Sequence, residues 1–176
     1  NDDLDENPYN FSITGVVTTP AAEIAVTGKG ANIVDGDTSP SFAHDTYFGS
    51  LVQGALSVSH VFTVTNLGSQ TLTTSGLTVP TGFTVVEGLA ASIAAGASDT
   101  FTVRLDSAVA GVKSGSISFA TSDADENPFD FVIGGTVLVN AAEIAVTGNS
   151  VNIADGDTTP AATDLTDFGT VSTGGA

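Results

Sequence analysis

The chain has 176 residues, 41% of them hydrophobic, which is too apolar for wholesale disorder and long enough for one domain with its own core plus parts of others. Three Lys plus Arg stand against twenty Asp plus Glu, a formal charge of −17 that repels phosphate backbones and anionic head groups and argues against nucleic acid or membrane as partners. There is no Cys, which excludes disulfides, thiol chemistry and Cys-based zinc sites, and no apolar run approaches the roughly 18 residues needed to span a bilayer.

In chain order, Phe11-x-Ile13 alternates within residues 1–20, and the run Ala21 to Gly28 opens the next apolar stretch. A turn at Asp35-Gly36-Asp37-Thr38 follows. Phe62-Thr63-Val64-Thr65, Phe101-Thr102-Val103-Arg104-Leu105, Ser116-Ile117-Ser118-Phe119 and Phe129-Asp130-Phe131-Val132-Ile133 each alternate apolar with polar, the period of a strand with one buried face. Leu89 to Ala97, bracketed by Gly88 and Gly96, reads as a loop. The predicted core is Phe62, Val64, Phe101, Val103, Leu105, Ile117, Phe119, Phe131 and Ile133; of the aromatics, Tyr9 and Tyr47 are expected at the surface. The pattern predicts an all-β sandwich of seven or eight short strands.

The chain also repeats itself. Asp5-Glu6-Asn7-Pro8 recurs at Asp125 to Pro128, Ala21 to Gly28 at Ala141 to Gly148, and Asp35 to Thr38 at Asp155 to Thr158, always 120 residues on. About half of residues 1–56 match their counterparts in 121–176 without an insertion. A fixed period of this length predicts a tandem array of domains. In that frame residues 1–20 are the closing strands of a preceding repeat, 21–139 a complete repeat, and 140–176 the opening strands of a following one. The apolar edges Phe11-x-Ile13 and Ile144-x-Val146 then belong to a longer continuous chain, or pair with neighbouring molecules by strand exchange.

The run Ala22 to Gly28, the Asp35-Gly36-Asp37-Thr38-x-Pro40 loop, Phe48-Gly49, Phe62-Thr63-Val64-Thr65-Asn66-x-Gly68 and Asp123-x-Asp125-Glu126-Asn127-Pro128-Phe129 together resemble the bacterial choice-of-anchor D repeats, within the wider set of ASH or Hydin-like immunoglobulin-type domains. The resemblance implies an immunoglobulin-like β-sandwich in very large secreted or surface-attached bacterial proteins, with no enzymatic activity of its own. It implies no ligand. One loop departs from its copy: His44, Asp45 and Tyr47 stand where the following copy has Asp164, Leu165 and Asp167.

No catalytic constellation emerges. His44 and His60 are the two histidines, one in a variable loop and one on the parity of Phe62, and there is no Gly-x-Ser-x-Gly, HExxH or P-loop. The chain is therefore expected not to be an enzyme. A Lys–Asn cross-link is not expected either, since Lys29 becomes Asn149 in the copy. Acidic loops carry the remaining chemistry. Asp123-x-Asp125-x-Asn127 and its copy Asp3-x-Asp5-x-Asn7 place oxygen side chains at alternate positions, as in the first half of a calcium loop. Pro128 replaces the required Gly and Gly134 the closing acid, so the hairpin reads either as a Ca²⁺ site or as a solvated tip. Asp35 with Asp37, and Asp155 with Asp157, are weaker metal candidates, because Asp-Gly is common turn chemistry. The Asp123 to Asn127 hairpin is expected at the pole where the chain enters, near residues 16–22.

These readings point to a structural spacer or scaffold in a long extracellular or cell-surface filament or stalk, partnered by neighbouring repeats and by other copies in a filament. The alternatives are an adhesin module for a glycan or protein, which needs exposed aromatics, and a carrier domain for an enzyme elsewhere in a parent protein.

Overall fold

The computed structural model describes residues 2, 4, 5, 8–17, 19–170 and 172–174. They form two compact units, Asn1–Val139 and Asn140–Ala176. The first holds ten strands: β1 (Ile24–Gly28), β2 (Ala31–Ile33), β3 (Tyr47–Val52), β4 (Val58–Asn66), β5 (Leu72–Thr78), β6 (Phe83–Glu87), β7 (Ser92–Ile93), β8 (Ser98–Leu105), β9 (Gly111–Thr121) and β10 (Phe129–Leu138). The second holds the hairpin β11 (Val146–Gly148) and β12 (Val151–Ile153).

The ten strands make two five-stranded sheets in the orders β2-β1-β4-β8-β6 and β3-β10-β9-β5-β7. Every pairing is antiparallel except β3 on β10, which is parallel. Strands β1-β4-β8-β6 correspond to A-B-E-D and β5, β9 and β10 to C, F and G, the two-sheet frame of an immunoglobulin-like sandwich. The additional strands are short. The chain turns back after Gly28 to add β2, crosses to the other sheet as β3, and gains the two-residue β7 where the sequence predicted only loop.

Strict alternation drives the two sheets together. All nine residues of the predicted core are buried to within 1% of complete, and Phe62, Phe101, Phe119, Phe129 and Phe131 form a continuous chain of ring contacts between the sheets, with Phe62 and Phe131 5.3 Å apart across them. Aromatic pairs of this kind add about 0.5–1.5 kcal/mol beyond the area they bury. The two histidines are built into the same body: His60 stacks on Phe48 at 4.1 Å, and its Nδ1 lies 2.6 Å from the Asp45 carbonyl oxygen.

Residues 144–169 repeat the local conformation of 24–49. Strand β11 pairs with β12 in the register of β1 with β2, Val146 opposite Ile153 as Val26 is opposite Ile33. The positive φ angles recur at the same offset, Lys29 at 54° with Asn149 at 49°, and Asp45 at 55° with Leu165 at 63°. A Cβ on Gly28 would collide with the His44 carbonyl, and one on Gly148 with the Asp164 carbonyl, so one close approach explains glycine at both. Burial differs. Ile24, Val26 and Phe48 are buried, whereas Ile144, Val146 and Phe168 are exposed, because among the described residues of the second unit none stands where β4, β8 and β10 stand in the first. Residues 1–20 carry no strand among those described, and Tyr9, Phe11 and Ile13 are exposed. The surface aromatics therefore differ from expectation. Phe42 and Phe168 join Tyr9 and the edge residue Phe11 at the surface, and Tyr47 is half-buried, edge-on to Phe42 at 4.8 Å.

The contrast between copies is testable. Phe48→Ala should cost about 3–5 kcal/mol in chemical denaturation, and Phe168→Ala should fall within about 0.5 kcal/mol of wild type.

Candidate functional site

The pole where the chain enters the sandwich is held by buried polar groups. Asp123 is 3% exposed, and its Oδ2 accepts a hydrogen bond from the Ile24 amide at 2.8 Å. Asn66 is wholly buried and uses both ends of its amide: Oδ1 accepts from the Gly68 and Glu23 amides, and Nδ2 donates to the Gln70 and Ile93 carbonyls. Leu67 donates to the Glu23 carbonyl, and Ser69 and Gln70 both donate to that of Ala21. A Cβ at Gly68 would strike the backbone of residues 21–23, which explains the Asn66-x-Gly68 motif as a clamp on the incoming chain. The Asp123 to Asn127 hairpin thus meets the incoming chain, across an open cleft of about 390 Å³ lined by Pro20 to Glu23 and Ser122 to Asp125.

The sequence candidates are put to different tasks here. Asp123 caps Ile24, Asp125 is exposed, and Asn127 Oδ1 turns back to accept from the Thr121 amide at 3.1 Å. Asp35 Oδ1 accepts from the Asp130 amide, while the Gly36 amide donates to the Asp130 carbonyl and the Val132 amide to that of Asp37. The Asp35-Gly36-Asp37 turn is in this way strapped along β10, with Asp37 bridged in parallel to Phe131. Asp37 Oδ1 accepts from Ser39, and its Oδ2 lies 3.6 Å from His44 Nε2. In the second unit Asp157 Oδ1 accepts from both the amide and the hydroxyl of Thr159, and these bonds hold its carboxyl below the ordinary range; Asp155 is exposed. Asp5 is exposed, and Asp3 and Asn7 lie outside the described residues.

Two carboxylates that the sequence reading passed over complete the cluster. Glu23, on the incoming chain, and Glu126, in the hairpin, each bring an oxygen within 4.8 Å of one on Asp123. Glu126 Oε2 is buried without a hydrogen-bond partner. Burial first, then the charges of Asp123, Glu23, Asp35 and Asp125, raise the Glu126 pKa above its ordinary 4.5. These three residues could hold a metal ion, but the one ligand oxygen each brings makes half or fewer of the six to eight that Ca²⁺ takes, so most of such a shell would have to come from water. The available sequence signal was recurrence: Glu143 repeats Glu23 at the same offset.

No protein-family model matches the chain, and no curated protein does. Among solved structures, the chain is similar to a protein of unknown function from Porphyromonas gingivalis W83, at 14% identity and a TM-score of 0.50, covering 69% of this chain and 50% of that one. It is also similar to the seventh PapD-like domain of human CEP192, an ASH/PapD-like domain (9% identity, TM-score 0.45, 76% and 97% covered), and to the Vibrio cholerae VesB protease (22%, 0.39, 52% and 29%). The first is a likeness of fold alone, and this chain spans half of that protein's length.

Because protonation relieves Glu126, its penalty is absent below the unfolded value of 4.5 and grows as pH rises through the higher folded value. Glu126→Gln should raise the melting temperature at pH 7, and the gain should vanish near pH 4 or below, read by thermal unfolding across that range.

Proposed function

We propose that the chain is a non-catalytic structural repeat of the choice-of-anchor D type, a spacer in a long filament, stalk or surface protein outside the bacterial cell. One observation carries this reading: the 120-residue offset is a property of the backbone as well as of the sequence, down to the left-handed residues Lys29 with Asn149 and Asp45 with Leu165. Copying of local geometry at a fixed interval is what an array of equivalent domains requires. The clamp on residues 21–24 supports the same reading, since a spacer works only if each module fixes the direction in which the chain enters it. The charge of −17 keeps such an array soluble and its members apart.

Electron microscopy of the parent protein should show beads spaced at roughly 35–45 Å, the long dimension of a sandwich with strands of this length. A compact particle without an axial repeat would contradict the proposal.

A further inference from the structure

The sandwich is tied into the chain at opposite poles, and lengthwise at each. Strand β1 starts at the entry pole with Ile24 opposite Asn66, the last residue of β4, and runs to Gly28 opposite Phe62. Strand β10 starts at the same pole with Phe129 opposite Phe119 and ends at Leu138 beside Val52, where the Gln53 amide donates to the Leu138 carbonyl. Its ten residues set the poles about 33 Å apart. A pull on the chain from both sides therefore draws Ile24 back along β1 and Leu138 forward along β10. Antiparallel ladder bonds lie across the strands, so a lengthwise pull shears a whole ladder together, whereas a sideways pull peels it bond by bond.

Further bonds fasten the incoming chain before its ladder begins. Ala21 O accepts from the Ser69 and Gln70 amides, Glu23 O from the Leu67 amide, and Asn66 Oδ1 from the Glu23 amide, all at the end of β4 or in the turn that follows it. The Ile24 amide goes elsewhere, to Asp123 Oδ2 in the hairpin between β9 and β10, 99 residues on. Load on the incoming chain thus reaches both sheets, and through Asp123 it reaches β10, the strand on which the outgoing chain pulls. Strand β10 is held on both edges, by β9 from Phe129 to Val137 on one and by β3 and the Asp35 to Asp37 turn on the other.

We infer that this sandwich bears tension along the chain, resisted in shear by β1 and β10 and passed between them by the hydrogen bond from Ile24 to Asp123. This rests on the reading of the chain as a repeat, since an array is what puts a pull on these two points. Tension also gives a reason for burying a carboxylate here, because an apolar side chain would fill the space without holding the Ile24 amide.

The chain has no cysteine, so thiol handles can be placed on exposed positions: Ser12→Cys before the entry, Ala145→Cys after the exit and Ala124→Cys on the hairpin at the entry pole. In optical tweezers at one loading rate, the full chain pulled from residues 12 and 145 should rupture in one step, at a higher force than when pulled from residues 12 and 124. The step should release about 115 residues, Ile24 to Leu138, or about 380–410 Å of extended chain less the folded span. Rupture force follows the unfolding barrier and not the equilibrium stability, so the two handle pairs should share one melting temperature. Asp123→Ala should lower the force of the end-to-end pull, and Asp123→Asn, which keeps an oxygen for the Ile24 amide, should restore it. An end-to-end force no higher than the one-pole force, or one that Asp123→Ala leaves unchanged, would overturn the inference. Either failure would leave the repeat reading standing, since that reading is tested on the parent protein.

Discussion

The hydrogen bond from the Ile24 amide to the buried Asp123 carboxylate joins the first strand of the sandwich to its last hairpin, 99 residues away. A carboxylate buried this deeply is costly unless bonded, so once folding has hidden Asp123 the incoming backbone must lie where it can donate. Asn66 works the same way from the other side, with donors and acceptors all engaged. Between them they fix Ala21 to Ile24, and so the direction from which the chain arrives.

This clamp draws like charges together. Holding the incoming chain against the hairpin also brings Glu23 beside Asp123 and Glu126, and the unpartnered Glu126 oxygen is the local consequence. A proton or a cation at that point would relieve the repulsion without disturbing the clamp, because the Asp123 oxygen that holds Ile24 is only one of its two.

Much of the fold was legible because each strand carries its instruction locally. The alternation in Phe101 to Leu105 states which face is buried whatever lies opposite, and all nine predicted core residues are buried. The same alternation at Phe11-x-Ile13 and Ile144-x-Val146 does not bury those residues, because an apolar face is hidden only where other strands cover it, as they cover Phe131, Ile24 and Phe48. Local conformation survives without them, as Leu165 in its left-handed turn shows. The candidate site was less legible. Asp123, Asp125 and Asn127 look alike in sequence, yet Asp123 is buried while Asp125 and Asn127 are exposed, the last bonding back to the Thr121 amide, and the cluster is completed by Glu23, which lies 100 residues away in the chain and is brought there by backbone bonding that no spacing announces.

Amide hydrogen exchange at Ile24 tests the clamp most directly, since that amide is protected through a side chain and not through a strand ladder. Ile24 should exchange as slowly as Val64 and Phe101 in the wild type, and in Asp123→Ala it should lose protection while Phe101 keeps its own. Equal protection of Ile24 in both proteins, or none in the wild type, would contradict the account.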